Sequence, residues 1–537
     1  MTKQNFSYII VTDKVIDVTY MRIMKKTLHF ALFLQFLLYS NLFSASYYVS
    51  LSGNDSFRGT IDSSFATLTK AISIMQAGDT TYIRGGIYSI STNIAISKIG
   101  RSNLKFHLFG FPNERPLLDF SSQSFGTRGI SLSGYYWYIK GIDIKGAGDN
   151  GLFISGSFNT IEHCTFFENR DSGLQLSNGA SNNQVINCDS YYNHDPDPNP
   201  TKDGADADGF APKLTVGTNN YFYGCRAWQN TDDGWDCYEA VAAVTIENCW
   251  TFGNGYTKDW IDLGAQANGN GFKVGGNYTE NDATVKNCLA FGNKAKGFDQ
   301  NHNKGSMTFF NCTGYSNGGN NYSVSEALNT GKSLTIANCI ELGNKISIGA
   351  FAIQNTNSWL SPFTGATNSD FISIDTTGVR NPRKPDGSLP DVDFMHLSSG
   401  SQFINSGTDI GLPFNESKPD LGCFETGIPS VYVDKLEEVG IKKFELYQNY
   451  PNPFNPTTVI EFQILLSSFS QKGDGGGFIS LKVYDLLGRE VAVLVNEQKP
   501  AGSYSITWDA SNMTNGVYFY SMQAGNFVQT RKLLLLK

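Results

Sequence analysis

Between residues 160 and 345, apolar and polar positions alternate in short β-branched runs, such as VTIEN (244–248) and LTIAN (334–338). That is the period of strands; the 10–15-residue amphipathic stretches that helical repeats need are absent. The runs lead into a recurrent cysteine: HCTFFEN (163–169), NCDSYYN (187–193), GCRAWQN (224–230), NCWTFGN (248–254), NCLAFGN (287–293), NCTGYSN (311–317) and NCIELGN (338–344). Asn follows each Cys by five residues, and an aromatic residue follows by three in six instances, with Leu342 in the seventh. Intervals of 24, 37, 24, 39, 24 and 27 residues give a repeat of about 24 with long insertions at 194–207 and 255–269. A repeat of this size signals a solenoid, and strand alternation makes it a parallel β-helix. Equivalent residues then stack in columns. Cys164, Cys188, Cys225, Cys249, Cys288, Cys312 and Cys339 are expected as free thiols in one inward column. The aromatics form a second column. Asn169, Asn193, Asn230, Asn254, Asn293, Asn317 and Asn344 form an amide ladder at a turn.

The pattern changes at both ends. FATLTKAISIMQAGDTTYIRGG (65–86) predicts an amphipathic helix ending near Gly78, capping the solenoid, and then a first strand. From about 345 to 426 the repeat degrades. After TGIPSVYVDKLEEVG (426–440), prolines and new alternating runs predict a separate small β-sandwich of antiparallel strands. The expected fold class is all-β: a parallel β-helix over 46–426, a linker over 427–445 and a C-terminal sandwich over 446–537.

Composition narrows the function. With 41 basic and 49 acidic residues the chain carries a net charge of −8 and no basic block, which argues against a nucleic-acid partner. A monomer is expected. From Met24, two lysines, an apolar run to Phe43 and small residues at 44–46 read as a signal peptide over 24–45. Residues 1–23 read as an upstream start or unstructured lead. The cysteine column makes a disulfide framework unnecessary even in an exported chain.

Candidate chemistry sits where Asn-terminated turns lead into the next strand. Five strands open on Gly and a large apolar residue: SGLQ (172–175), DGFA (208–211), DGWD (233–236), NGFK (270–273) and KGFD (296–299). If the apolar residue points inward, the next points outward, giving a column Gln175, Ala211, Asp236, Lys273, Asp299. The residue before Gly gives Ser172, Asp208, Asp233, Asn270, Lys296. Asp208, Asp232, Asp233 and Asp236 therefore converge on one patch of the outer surface, with Lys273 one coil away. Both insertions emerge beside that patch and would wall a groove. A hard cation such as calcium suits this cluster, since like charges at this density need compensation. Zinc does not: no His is present and Cys237 should point inward. A surface ion-pair ladder would explain Asp236, Lys273 and Asp299 but not the other aspartates. The acidic run at 194–208 lacks the register of an EF-hand and, except for Asp208, reads as loop.

DADGFAPK, NTDDGWD, GNGFKVGG and KGFDQNHN resemble the motifs of polysaccharide lyase family 9, pectate lyases on a right-handed parallel β-helix. The resemblance covers roughly 47–425. It implies that Asp208, Asp232, Asp233 and Asp236, with a backbone carbonyl, hold Ca2+, and that Lys273 is the base in β-elimination of polygalacturonate. An alkaline optimum is expected, because a free lysine is mostly protonated at neutral pH. Lys213 and Lys296 are expected to contact substrate. A lyase on another uronate polymer, a polygalacturonase-type hydrolase and a non-catalytic β-helix adhesin are the alternatives. The blocks NYPNPFNPTT, VYDLLGREV and NGVYFY resemble the type A C-terminal sorting domain of the Por (type IX) secretion system. That implies the secretion machinery as partner and a secreted or cell-surface product of a Gram-negative bacterium.

Overall fold

In the computed structural model, described residues are 44–199, 201–343, 345–427, 445–449, 451–464, 476–500, 502–524 and 527–537. The signal segment up to residue 43 and most of the linker, 428–444, lie outside them. Three parallel sheets of 12, 10 and 10 strands run the length of the first unit, each coil adding one strand to each sheet. One coil comprises Asn220–Tyr223, Arg226–Trp228 and Trp235–Asp236; the next comprises Val244–Glu247, Trp250–Phe252 and Phe272–Lys273. Strands are short because each coil must turn three corners in about 24 residues.

The inward columns form one continuous apolar core, which includes the seven repeat cysteines. All nine cysteines are free and buried. The Cys225 amide donates to Cys249 Sγ at 3.3 Å, one rung of the thiol column. The aromatic column stands on the opposite face of its sheet, as a three-residue offset requires. Its rings stack from Phe167 through Tyr191, Trp228 and Phe252 to Phe291, with centroids 4.3–5.6 Å apart.

The asparagine ladder holds the turn. Asn169 Nδ2 donates to Asn193 Oδ1, Asn193 to Asn230, Asn230 to Asn254, Asn254 to Asn293 and Asn293 to Asn317, all at 2.8–2.9 Å. The next acceptor is Asn321 Oδ1, at 2.7 Å; Asn344 lies outside the described residues. Each amide oxygen also accepts the backbone N–H one coil below, as Asn254 Oδ1 does from Asn230. Asn254→Ala therefore strands buried donors at about 1–3 kcal/mol each, and a loss of about 2–4 kcal/mol is expected. Urea unfolding checks this; an unchanged midpoint would mean that the ladder adds no net stability.

The helix at the N-terminal end is Leu68–Ile74, capped by Thr67, whose hydroxyl accepts from the Lys70 amide, and it buries Leu68, Ala71 and Ile72. It ends before Gly78, as expected. The strand after it is not the first. Ser46–Val49 precedes it and pairs in register with Thr80–Ile83. That four-residue strand lacks the repeat's cysteine and asparagine, so nothing in its sequence marks it.

The chain divides into two compact units. The first contains residues up to Thr376 with Gly387–Gln402 and Leu421–Phe424; the second contains Thr377–Asp386, Phe403–Asp420 and Glu425–Lys537. Within the second, antiparallel strands form a three-stranded and a four-stranded sheet. Leu446, Phe462, Leu481, Trp508 and Tyr520 belong to its separate apolar core.

Candidate active site

The site is built on one ten-stranded sheet, through Phe210–Pro212, Trp235–Asp236, Phe272–Lys273 and Phe298–Asp299. Inside the coil, Phe210, Trp235, Phe272, Phe298 and Tyr322 stack with ring centroids 4.8–5.3 Å apart. This apolar stack fixes the register: Trp235 pairs with Phe272 and Asp236 with Lys273, then Phe272 with Phe298 and Lys273 with Asp299. Alternation turns Asp236, Lys273 and Asp299 to the other face. Gly234 is required by close approach. A Cβ there would lie 2.7 Å from the Gly271 carbonyl oxygen and 2.9 Å from Asn254 Nδ2. The Thr251 hydroxyl lies closer still, and the next coil's carbonyl together with the asparagine ladder leaves no room for a side chain before each site strand.

Three carboxylates meet. Asp208, Asp233 and Asp236 each bring an oxygen within 4.8 Å of the others. Asp208 is oriented by the Ser172 hydroxyl, which donates to Oδ2 at 3.0 Å, and by the Asp233 amide, which donates to Oδ1 at 3.2 Å. Asp233 Oδ1 accepts from Asn270 N and Nδ2 at 2.6 and 2.9 Å. Asp236 Oδ1 accepts from the Tyr238 amide at 3.0 Å. Asp232 is not one of the converging trio; its Oδ1 accepts from the Asn268 amide at 2.7 Å, tying the insertion 255–269 to the site.

Two ammonium groups bridge the trio. Lys273 Nζ lies 2.9 Å from Asp233 Oδ2 and 3.2 Å from Asp236 Oδ1. Lys213 Nζ lies 2.8 Å from Asp208 Oδ2 and 3.5 Å from Asp236 Oδ2. Lys213 follows the strand Phe210–Pro212, and its insertion between two coils' carboxylates was not legible from its position. Lys296 instead pairs with Asp299, 3.1 Å away.

The cluster is buried, where an exposed patch is expected from alternation alone. Asp208 and Asp233 are fully buried, and Lys273 keeps only 6% of its surface. The insertions close around the site. A Cβ on Gly204, in the first, would meet Leu263 of the second. Lys294 donates to the Ala267 carbonyl at 2.9 Å and braces the second loop. The first loop uses its own acids locally: Asp195 accepts from the Asp206 and Ala207 amides, and Asp203 pairs with His194.

Burial sets the electrostatics. It pushes the carboxyls of Asp208 and Asp232 well above the usual range, and neighbouring carboxylates push further. Asp233 is also raised by burial, against the pull of Lys273. Burial works against the charge on Lys273, but Asp233, Asp236, Asp232 and Asp208 outweigh it and hold its pKa well above that of free lysine. Lys213 behaves alike through Asp208, Asp236 and Asp171. Asp171 is a neighbour that sequence reasoning missed. Burial raises its carboxyl, Lys213 opposes that, and the neighbouring carboxyl of Asp149 raises it further. Its signal was available: Asp149, Asp171 and Asp232 all stand two residues before the strand glycine.

These residues fit a hard cation. All the converging donors are carboxylate oxygens. Three buried carboxyls converge on two ammonium groups, with Asp232 alongside, and burial and mutual repulsion penalise their ionised forms unless further positive charge is supplied. Asp233 Oδ2 accepts no hydrogen bond of good geometry despite its ion contact with Lys273. Cys237 belongs to the inward core, and burial raises its thiol, so among the described residues no thiol faces the trio.

Comparison with known proteins agrees with this architecture. Residues 47–345 match the family described as Pel9A-like, right handed beta helix region, and residues 448–536 match the secretion system C-terminal sorting domain, which marks the chain for type IX export. Pectate lyase L of Dickeya dadantii is 37% identical over 390 residues, 71% of this chain and 90% of that protein. Pectate lyase L of Paenibacillus polymyxa is 39% identical over 370 residues, 64% of this chain and 80% of that protein. The crystal structure of pectate lyase Pel9A superposes with a TM-score of 0.67 at 36% identity, covering 72% of this chain and 98% of that one. A rhamnogalacturonan lyase structure matches with a TM-score of 0.59 at 28% identity, covering 66% of this chain and 97% of that one. With the helix region matched over 47–345 and relatives matched over most of their own length, the chain belongs to the Pel9A-like right-handed β-helix family and is a polysaccharide lyase.

Proposed function

We propose that this lyase cleaves polygalacturonate by calcium-dependent β-elimination, with Lys273 as the base. The observation that carries the reading is the lysine amine set 2.9 and 3.2 Å from two members of a buried carboxylate trio. Asp208, Asp233 and Asp236 would hold Ca2+, with Asp232 alongside as a fourth negative charge. Bound calcium would offset negative charge developing on the C6 carboxylate of the substrate. The Lys273 amine takes the C5 proton. The C5–H electrons form the C4–C5 double bond as the C4–O bond breaks, and the departing oxygen gains a proton. Lys213, between Asp208 and Asp236, supplies a second fixed positive charge for the uronate. Burial favours the neutral amine that Lys273 must become, and the carboxylates oppose it. Sharing those carboxylates with a dication relieves that opposition.

The likeness to a rhamnogalacturonan lyase supports a second substrate, a mixed polymer that contains the same uronate. The hydrolase and adhesin readings are set aside, because a lyase family accounts for both lysine and acid cluster. Incubation of the purified enzyme with polygalacturonate is expected to yield ultraviolet-absorbing unsaturated ends, and a calcium chelator is expected to stop the reaction. No product from folded protein would sink the substrate reading. An undiminished rate after chelation would sink the calcium dependence.

A further inference from the structure

The groove has a second wall, across the sheet from the insertions. The insertions 194–207 and 255–269 enter ahead of the strands Phe210–Pro212 and Phe272–Lys273, and the residues that follow each site strand leave on the other side. Tyr238 is one of these. It follows the strand Trp235–Asp236, and alternation sets it on the outward face with Asp236, while Cys237 between them turns into the core.

Its backbone is held at both ends. The amide donates to Asp236 Oδ1 at 3.0 Å, and the carbonyl accepts from the Leu214 amide at 2.8 Å. Gly276, in the coil that carries Lys273, leaves the space the ring occupies. A Cβ there would lie 2.3 Å from Tyr238 Cδ2 and 3.0 Å from Cε2. The ring is thus seated in advance, which lowers the ordering cost of any contact it makes. Tyr238 still keeps 38% of its surface exposed, and its ring centroid lies 5.6 Å from Lys273 Nζ, the proposed base. Leu214, 39% exposed one coil below, extends the apolar wall.

Galacturonate is polar around its edge, but C3–H, C4–H and C5–H share one face of the pyranose. An aromatic ring laid against that face gains dispersion contact and requires no charge. The sugar that loses its proton is not the one stacked there, because Lys273 needs the same face to reach C5–H. The ring stands beyond the amine and meets the next sugar along the chain. A ring that only held the Lys273 ammonium by cation–π attraction would have no use for its exposed surface.

We propose that Tyr238 is a stacking platform for the pyranose adjoining the one that Lys273 deprotonates. It fixes the plane of that sugar and so sets which C5–H meets the amine. This inference rests on the lyase reading above.

The test uses hexagalacturonate in calcium. Tyr238→Leu removes the ring but keeps an apolar filler against Gly276, and Tyr238→Phe keeps the ring. Initial rates give kcat and KM. Calorimetry gives the oligomer's Kd in the Lys273→Arg background, where turnover is expected to be lost, and the calcium Kd of each variant. Tyr238→Leu should raise KM and Kd by about five- to twentyfold and hold kcat within about threefold, at wild-type calcium affinity. Tyr238→Phe should restore binding to within about twofold of wild type. With Tyr238 intact, bound hexagalacturonate should block nitration of this residue by tetranitromethane, followed by peptide mass spectrometry. KM and Kd unmoved by Tyr238→Leu, or nitration indifferent to the oligomer, would overturn the platform. A fall in kcat at unchanged Kd in Tyr238→Leu would also overturn it, leaving the ring as a holder of Lys273. So would a loss in Tyr238→Phe equal to that in Tyr238→Leu, which would assign the effect to the hydroxyl. If folded enzyme yields no unsaturated ends from polygalacturonate, the lyase reading has failed. Calorimetry then still judges the platform: hexagalacturonate binding that is absent, or indifferent to Tyr238→Leu, overturns it.

Discussion

Lys273→Arg is expected to lose turnover by about 10²–10⁴-fold, the usual cost of removing a general base. Arginine keeps the positive charge and most of the length, so it can still reach Asp233 and Asp236, now 2.9 and 3.2 Å from Nζ. What it lacks is a neutral form with a lone pair at any working pH. If Lys273 served only as a counter-ion or as a carboxylate contact, the arginine enzyme would work nearly as well as wild type. Calcium binding and oligogalacturonate binding, read by calorimetry, should be largely kept. A variant that retains more than about a tenth of normal kcat would refute the base assignment, given the 10²–10⁴-fold expectation. Lys213 would then become the leading candidate, because its amine also reaches the trio, 2.8 Å from Asp208.

Asp233→Asn is expected to weaken calcium binding by about 10²-fold or more, because it removes one formal charge and a strong donor from a small oxygen site. Asparagine is the better substitution here. Asp233 is fully buried and accepts from both Asn270 N and Nδ2. Alanine would strand those donors and confuse loss of ion with loss of fold. Asparagine keeps an acceptor and the shape, so unfolding should shift little while calorimetric calcium affinity and lyase rate fall together. Wild-type calcium affinity in a folded Asp233→Asn enzyme would mean that the trio is a structural ion-pair network and that any ion binds elsewhere.

The sequence by itself determined whatever repeats. Period-2 alternation and the Cys-to-Asn interval are local properties of a strand and its turn, and stacking copies them from coil to coil. That is why the column Asp236, Lys273, Asp299 and the stack Phe210, Trp235, Phe272, Phe298 were readable, and why the thiols were expected free. Motifs carried the family for the same reason, since DDGWD and NGFK lie on repeated turns. Only the tertiary structure decided what does not repeat. The two insertions differ from every coil, so neither their closure over the groove nor the burial of Asp208 and Asp233 follows from spacing. Asp232 faces the second insertion through Asn268 N, while Asp233 beside it faces the trio. Lys213 reaches into the trio from the coil of Asp208, and Asp171 supports it from the coil below. These placements depend on side-chain reach between coils 22–39 residues apart and on how loops exclude water. Pair distance and desolvation govern the charge states there, and a single chain's residue order fixes neither.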